Sequence, residues 1–376
     1  MNKRKHNHPI RYLMIILIIL LSSSMSYANE AIPETEAMRA RVLSVEEIPG
    51  ITDIFETHLV TLEIYSGPMA GEIVTVENHL SDNPVYDVPV SQGDRVLLIH
   101  EMTSDGIGEL YISGFIRDIP MLWILAAFLA FLVLIGRWKG VKTIMTLGLT
   151  FFMILRVLLP GMLRGYPPII MTVGVSLVIT LITIFLINGI NVKSFSAVIG
   201  IFGGLIAAGL VMFIAGNQIK LTGLSSQEAV MLMYIPQNIT FEFRDLLFAG
   251  IIMGALGAVM DVGISIASSM SEMYRINPEV TPRQLMRSGM NVGRDIMTTM
   301  SNTLILAYTG AALPLLLLFM AYETSLIEII NMDLIATEIV RALSGSIGLV
   351  LTIPLTVLAS SFLLTRKNHA RHTDPS

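Results

Sequence analysis

The chain has 376 residues, of which 53% are hydrophobic and 14% charged, a balance far from that of soluble proteins. Its mean hydropathy is +0.70, and its formal net charge is -5. It contains no cysteine, which excludes disulfides, thiolate metal sites and cysteine nucleophiles. The composition therefore predicts a membrane protein, and it gives no support to nucleic-acid binding.

The N-terminus has the order of a signal peptide. Basic residues precede a short apolar run at residues 13–21, and small residues follow at Ser26 and Ala28. The run is shorter than the ~20 residues that a spanning helix needs. We expect a signal peptide at residues 1–28, and an uncleaved anchor at residues 10–25 is the alternative.

Residues 30–117 change to short alternating runs, which are typical of strands. In the second run Val60, Leu62 and Ile64 alternate with polar residues, as a half-buried strand requires. The five predicted strands lie at residues 41–45, 57–65, 72–78, 95–101 and 109–115. We expect a small all-β extracytoplasmic domain, a barrel of OB or SH3 kind.

A polar loop between the predicted strands is the place where this domain can bind an envelope protein. A merely solvated loop is the alternative, since connections between strands are normally polar. His58, His79 and His100 lack the short spacings of a metal site, and no metal or cofactor is predicted. The loop residues are Asn78, His79, Asp82, Asn83, Tyr86 and Asp87.

Seven apolar segments follow, each long enough to cross a bilayer. They lie at residues 119–136, 143–163, 168–187, 195–215, 246–270, 299–321 and 343–364. The predicted fold is therefore an α-helical multi-pass membrane domain at residues 118–365, ahead of a short basic tail at residues 366–376. Lys and Arg are concentrated in alternate loops, so the positive-inside rule predicts an extracytoplasmic N-terminal domain and a cytoplasmic C-terminus in a bacterial cytoplasmic membrane.

Asp261 is the clearest functional candidate, because ionisable groups inside hydrocarbon are costly and rare. It lies about fifteen residues into the fifth predicted span, hence ~22 Å along the helix. Ser265 and Glu272 recur at helical spacing after it. We therefore predict a polar stripe along this helix.

The loop after the fifth predicted span begins a second polar helix. Thr281 has the position of a cap, proline follows it, and Gln284 completes a capping box. Arg294 can pair with Asp295 beside it or swing toward Asp261, and both alternatives stay open. The candidates along this helix are Asn291, Arg294, Asp295, Thr298 and Asn302. Two converging polar stripes predict a hydrated cavity that reaches the cytoplasm.

A further charged pair precedes the seventh predicted span, where Glu338 and Arg341 are three residues apart and can form an ion pair. Glycine pairs in the spans allow helices to approach closely, and we expect tight packing at all of them. These glycines are Gly200, Gly203, Gly204, Gly250 and Gly254.

No enzymatic motif is present. The sequence has no P-loop and no HExxH, and all seven histidines lie outside the predicted membrane domain. The preferred hypothesis is a secondary transporter or permease for an ion or small polar solute. The alternative is a non-transporting scaffold or sensor whose β-domain binds an envelope partner. A homo-oligomer stays open.

Long segments of the chain resemble the YibE/F-like family of bacterial multi-pass membrane proteins. The resemblance is carried by VTVENHLSDNPVYDV and GDRVLL in the β-domain, and by LLFAGIIMGALGAVMDVGISIASSM, SGMNVGRDIMTTMSNTLILAY and DLIATEIVRALSGSIGLVLTIP in the apolar region. It implies a membrane location and this order of domains. It implies no substrate and no residue role.

Overall fold

A computed structural model describes residues 36–48, 56–81, 83, 87–102, 108–235 and 242–372. The chain divides into two compact units, one ending at Phe131 and the other beginning at Leu132. The predicted signal peptide, at residues 1–28, lies outside the described residues.

The first unit contains five antiparallel strands that curve into a half-barrel. They run in the order β3-β2-β1-β4-β5, and the two edge strands approach each other. The strands are β1 (Glu36–Ile48), β2 (Glu56–Ser66), β3 (Ile73–Leu80), β4 (Arg95–Met102) and β5 (Gly108–Phe115). The predicted small all-β domain is confirmed.

The core of the half-barrel follows the alternation seen in the sequence. Val60, Leu62 and Ile64 are fully buried in β2, while the residues between them point the other way. The turn after β2 requires glycine at Gly67, because its φ is +114° and a Cβ there would lie 2.6 Å from Cγ of Met38. The hydrophobic pattern and this turn together set the register of β2 against β3.

Ten helices follow in the described part of the chain, and six of them are long and apolar enough to cross a membrane: α1, α2, α3, α4, α6 and α10. The bounds are α1 (Asp118–Gly136), α2 (Trp138–Leu163), α3 (Pro168–Asn188), α4 (Val192–Ile219), α5 (Gln227–Met231), α6 (Phe243–Ile276), α7 (Pro282–Ala311), α8 (Leu313–Ala321), α9 (Leu326–Asn331) and α10 (Asp333–His372). The predicted multi-pass helical architecture is confirmed.

The sixth predicted span, at residues 299–321, is not one straight helix. It is formed by the second part of α7 and by α8, which are bent by 58° at a break next to Ala312. Pro314 lies in the first turn of α8, and proline cannot donate the backbone hydrogen bond that would continue α7. The chain therefore has six membrane-capable helices, or seven if the bent pair forms one span.

Close contact between α4 and α10 forms the centre of the helical unit. Gly200 and Gly204 of α4 lie against Thr356 and Thr352 of α10, so that a Cβ at either glycine would overlap the threonine. Gly203 likewise faces Leu355, at 2.5 Å from the position of a Cβ. The expected tight packing is confirmed at these three glycines, and α6 then packs against both helices.

We predict that Gly204→Ala destabilises the helical unit by about 1–3 kcal/mol, because its methyl group would overfill the contact with α10. The midpoint of thermal unfolding in detergent measures this loss. Gly174→Ala is the matched control, since nothing lies within 4 Å of a Cβ at Gly174 of α3. Equal midpoints for the two variants would contradict the packing described for α4.

Candidate functional site

One face of α6 is left uncovered by the described residues of the chain. The opposite faces are packed, and Val259, Val262 and Ile266 are fully buried. Asp261 and Ser265, by contrast, are exposed on the uncovered face. The exposed positions recur every three or four residues and are Gly250, Gly254, Gly257, Asp261 and Ser265. The predicted polar stripe of Asp261, Ser265 and Glu272 is exposed, and the three glycines extend the same face toward the start of α6.

Helix α7 presents a second uncovered polar face. The helix begins with the predicted capping box, in which Thr281 accepts a hydrogen bond from N of Gln284. Its packed face is made by Leu285, Gly289 and Gly293, all of them buried. The exposed side chains include all five predicted candidates on this helix, which are Asn291, Arg294, Asp295, Thr298 and Asn302.

The two faces lie next to each other because α6 and α7 run antiparallel and in contact. A Cβ at Gly289 would lie 2.7 Å from Sδ of Met270, and a Cβ at Gly254 would lie 3.4 Å from the hydroxyl of Tyr308. Between these two contacts, Asp261 is level with the part of α7 that carries Thr298. The candidates of the two helices therefore lie at similar levels on the exposed faces of two helices that are in contact.

Arg294 makes neither of the two ion pairs considered from the sequence. Its Nη1 donates a 3.0 Å hydrogen bond to Oδ1 of Asn291, one turn earlier on the same helix. In the described ranges neither Asp261 nor Asp295 has an ion-pair partner within 4.0 Å. A cation and two carboxylates therefore share this surface without neutralising one another inside the chain.

An apolar cavity lies apart from the two polar faces, between α3, α4 and α6. It has a volume of about 260 Å³, and nearly all of its lining is apolar, as in Val173, Phe202, Phe213 and Phe248. None of the predicted site residues lines it. The two polar stripes form an open surface, whereas the sequence predicted a hydrated cavity between them.

Glu338 and Arg341 form the ion pair that their spacing predicted. Both lie in the first three turns of α10, and their side chains are about three-quarters and two-thirds buried, at 25% and 32% exposure. Asp333, at the start of α10, accepts a 2.7 Å hydrogen bond from the hydroxyl of Thr222. This end of α10 is therefore held by polar contacts and stands apart from the stripes on α6 and α7.

Two rows of buried hydroxyls were missed from the sequence. The row on α3 consists of Thr172, Ser176, Thr180 and Thr183, and the row on α10 includes Thr337, Ser344, Thr352, Thr356 and Ser360. Of these, Thr352 donates a 2.8 Å hydrogen bond to the carbonyl of Gly348, while all four hydroxyls on α3 lack a partner in the described chain. The spacing of four residues was a visible signal, but the same spacing is common in ordinary helix contacts.

The polar side chains in the loop of the β-domain form hydrogen bonds within and beside that loop. Nδ2 of Asn78 donates to the carbonyl of Val88 at 2.9 Å, and the carboxylate of Asp87 accepts from Ser81 and from N of Asn83, both at 2.9 Å. Asp82 and Tyr86 lie outside the described residues. Where the structure describes the chain, no three His, Asp or Glu side chains converge as a metal site would require.

An all-β half-barrel followed by six or seven membrane-capable helices defines a multi-pass membrane protein with an N-terminal β-domain. Residues 124–366 match the family model described as YibE/F-like protein, and residues 37–115 match the YibE/F family N-terminal domain. The chain therefore belongs to the YibE/F family, as its resemblance implied. Curated proteins and solved structures gave no match.

We predict that Arg341→Gln lowers the free energy of unfolding by about 1–3 kcal/mol, because it leaves the largely buried carboxylate of Glu338 without its partner. Adding Glu338→Gln should restore part of the loss, since the unpaired charge is then gone. Unfolding midpoints in detergent measure both effects.

Arg275→Gln is the matched control, because Arg275 pairs with Glu272 at the same spacing but the two side chains are 76% and 54% exposed. It should leave the unfolding midpoint nearly unchanged, since exposed pairs contribute little. A double variant that is less stable than Arg341→Gln alone would contradict the pairing argument.

Proposed function

We propose that this protein is a secondary transporter or permease that moves an ion or small polar solute along the adjoining polar faces of α6 and α7. The carrying observation is Asp261, a carboxylate midway along a membrane-capable helix, exposed and without an ion-pair partner in the described chain. Such groups are costly in hydrocarbon, and they typically mark ion or solute pathways.

The neighbours of Asp261 have the chemistry that a hydrated ion or polar solute requires. Ser265 follows one turn later on α6, and Thr298 and Asn302 lie at similar depth on α7. Hydroxyl and amide oxygens can replace part of the hydration shell of a cation, and Asp261 supplies a negative charge or a proton acceptor. We propose coupling to an ion gradient and no catalytic role, because the sequence lacks a P-loop and the other catalytic motifs.

The proposed orientation follows the distribution of basic residues. The first turns of α7 carry Arg283, Arg287 and Arg294, and the last turns of α10 carry Arg366. The positive-inside rule places these ends in the cytoplasm and the β-domain on the other side of a bacterial cytoplasmic membrane. The proposed path would then open to the cytoplasm near the start of α7.

We predict that Asp261→Asn lowers ion flux about tenfold or more, equivalent to about 1.4 kcal/mol in the barrier, because the amide removes the charge and keeps the shape. The measurement uses proteoliposomes loaded with a pH-sensitive dye, under imposed proton, sodium and potassium gradients. Asp245→Asn, in the first turn of the same helix, is the control with the identical chemical change.

Wild-type flux that persists in Asp245→Asn and falls in Asp261→Asn would support transport through this face. A wild-type protein that is silent under all three gradients would contradict an ion-coupled transporter. The alternative would then be a scaffold or sensor whose β-domain binds an envelope partner.

A further inference from the structure

The exposed surface on α6 and α7 has no partner among the described residues, although α6 is a membrane-capable helix and the second part of α7 forms a membrane-capable pair with α8. Its polar members on α6 are Asp261 and Ser265, and those on α7 run from Asn291 to Asn302. Hydrocarbon offers no hydrogen bonds, so charged and amide groups cannot stably face lipid. Asp261, midway along α6, therefore requires another polar surface against it in the membrane. Arg294 and Asp295 lie nearer the cytoplasmic end proposed for α7, where the same surface reaches the edge of the bilayer.

The α6 part of this surface is shaped for the close approach of another helix. Nothing lies within 4 Å of a Cβ at Gly250 or Gly257, and only the Tyr308 hydroxyl lies that near at Gly254. This differs from Gly204, where a helix of the same chain already fills the space. The expected tight packing at Gly250 is not made by the described residues, and the small-residue stripe there is open to an intermolecular contact.

The charges on the surface are complementary to those of a second copy. Asp261 and Asp295 are acidic and Arg294 is basic, and all three lie within about two helical turns of depth. A twofold axis along the membrane normal repeats each residue at the same depth on both sides of the interface. Across such an axis Arg294 of one copy can reach Asp295 of the other, which lies one residue away in the sequence, so a dimer can supply an ion-pair partner that the described residues do not provide.

We infer that this surface is the interface between two copies of the chain, and that Asp261 of each copy lines a shared polar path along it. The second half of this inference rests on the proposed transport function, whereas the interface itself does not. The glycines of α6 bring the two backbones together, and the polar residues of α7 border the path. A single copy would then leave the path open to lipid.

The absence of natural cysteine allows a direct test by oxidative cross-linking in native membranes. Ser265→Cys should give a disulfide-linked dimer of the 41.2 kDa chain after copper-phenanthroline treatment, and a reducing agent should reverse it. Ile199→Cys is the matched control. Ile199 is 51% exposed on α4, and the contact of Gly263 with Ile201 places it at the depth of Ser265.

A second pair of cysteine variants tests the same interface, so that misfolding of a single variant does not decide the outcome. Gly257→Cys should also cross-link, whereas Ile206→Cys, 51% exposed on α4 at similar depth, should not. Dimers from both α6 variants and from neither α4 variant support the interface. Equal cross-linking from α4, no cross-linking from folded α6 variants, or adducts of another mass would overturn it.

The outcome separates the interface from transport. Cross-linked dimers together with a silent wild-type flux assay would overturn transport and the shared path, and would support the interface. If wild-type flux is intact but neither α6 variant forms dimers, the inferred interface is overturned and the proposed transport function is not. When both hold, cross-linked Gly257→Cys should lose flux and regain it on reduction, because the disulfide fixes the two copies across the shared path. Unchanged flux would overturn that path.

Discussion

The contact between α4 and α10 is the constraint on which the rest of the helical unit depends. Threonines of α10 pack directly against glycines of α4, so that the backbones of the two helices are in close contact. This contact leaves a groove into which α6 packs its buried aliphatic face. Once that face of α6 is used, the opposite face, with Asp261, can only point outward.

The same geometry sorts the polar residues of the membrane region into two groups. Hydroxyls such as Thr352 and Ser176 point into helix contacts, where their small size permits close packing. Carboxylates, amides and Arg294 remain on the outer surface of α6 and α7. A hydroxyl that bonds to a carbonyl of its own helix, as Thr352 does, can be buried at low cost, whereas a charged group requires water, an ion or a partner of opposite charge.

Much of the fold was predictable because it depends on local patterns. The alternation at Val60, Leu62 and Ile64 predicted a strand, and long apolar runs predicted the crossing helices. The capping box at Thr281 marked the start of α7. The bend before Pro314 also had a local signal, but apolar composition continues through it, and hydropathy alone does not detect a break.

The sequence by itself determined the two-part organisation, the positions of the long apolar segments and the chemical types of the candidate residues, since each depends on composition or short periodicity. Only the tertiary structure decided which face of each helix is covered. Gly204 and Gly250 occur in similar local patterns, yet one contacts α10 and the other has open space around it. Helical periodicity defines a face, but the neighbour against that face depends on how distant segments pack.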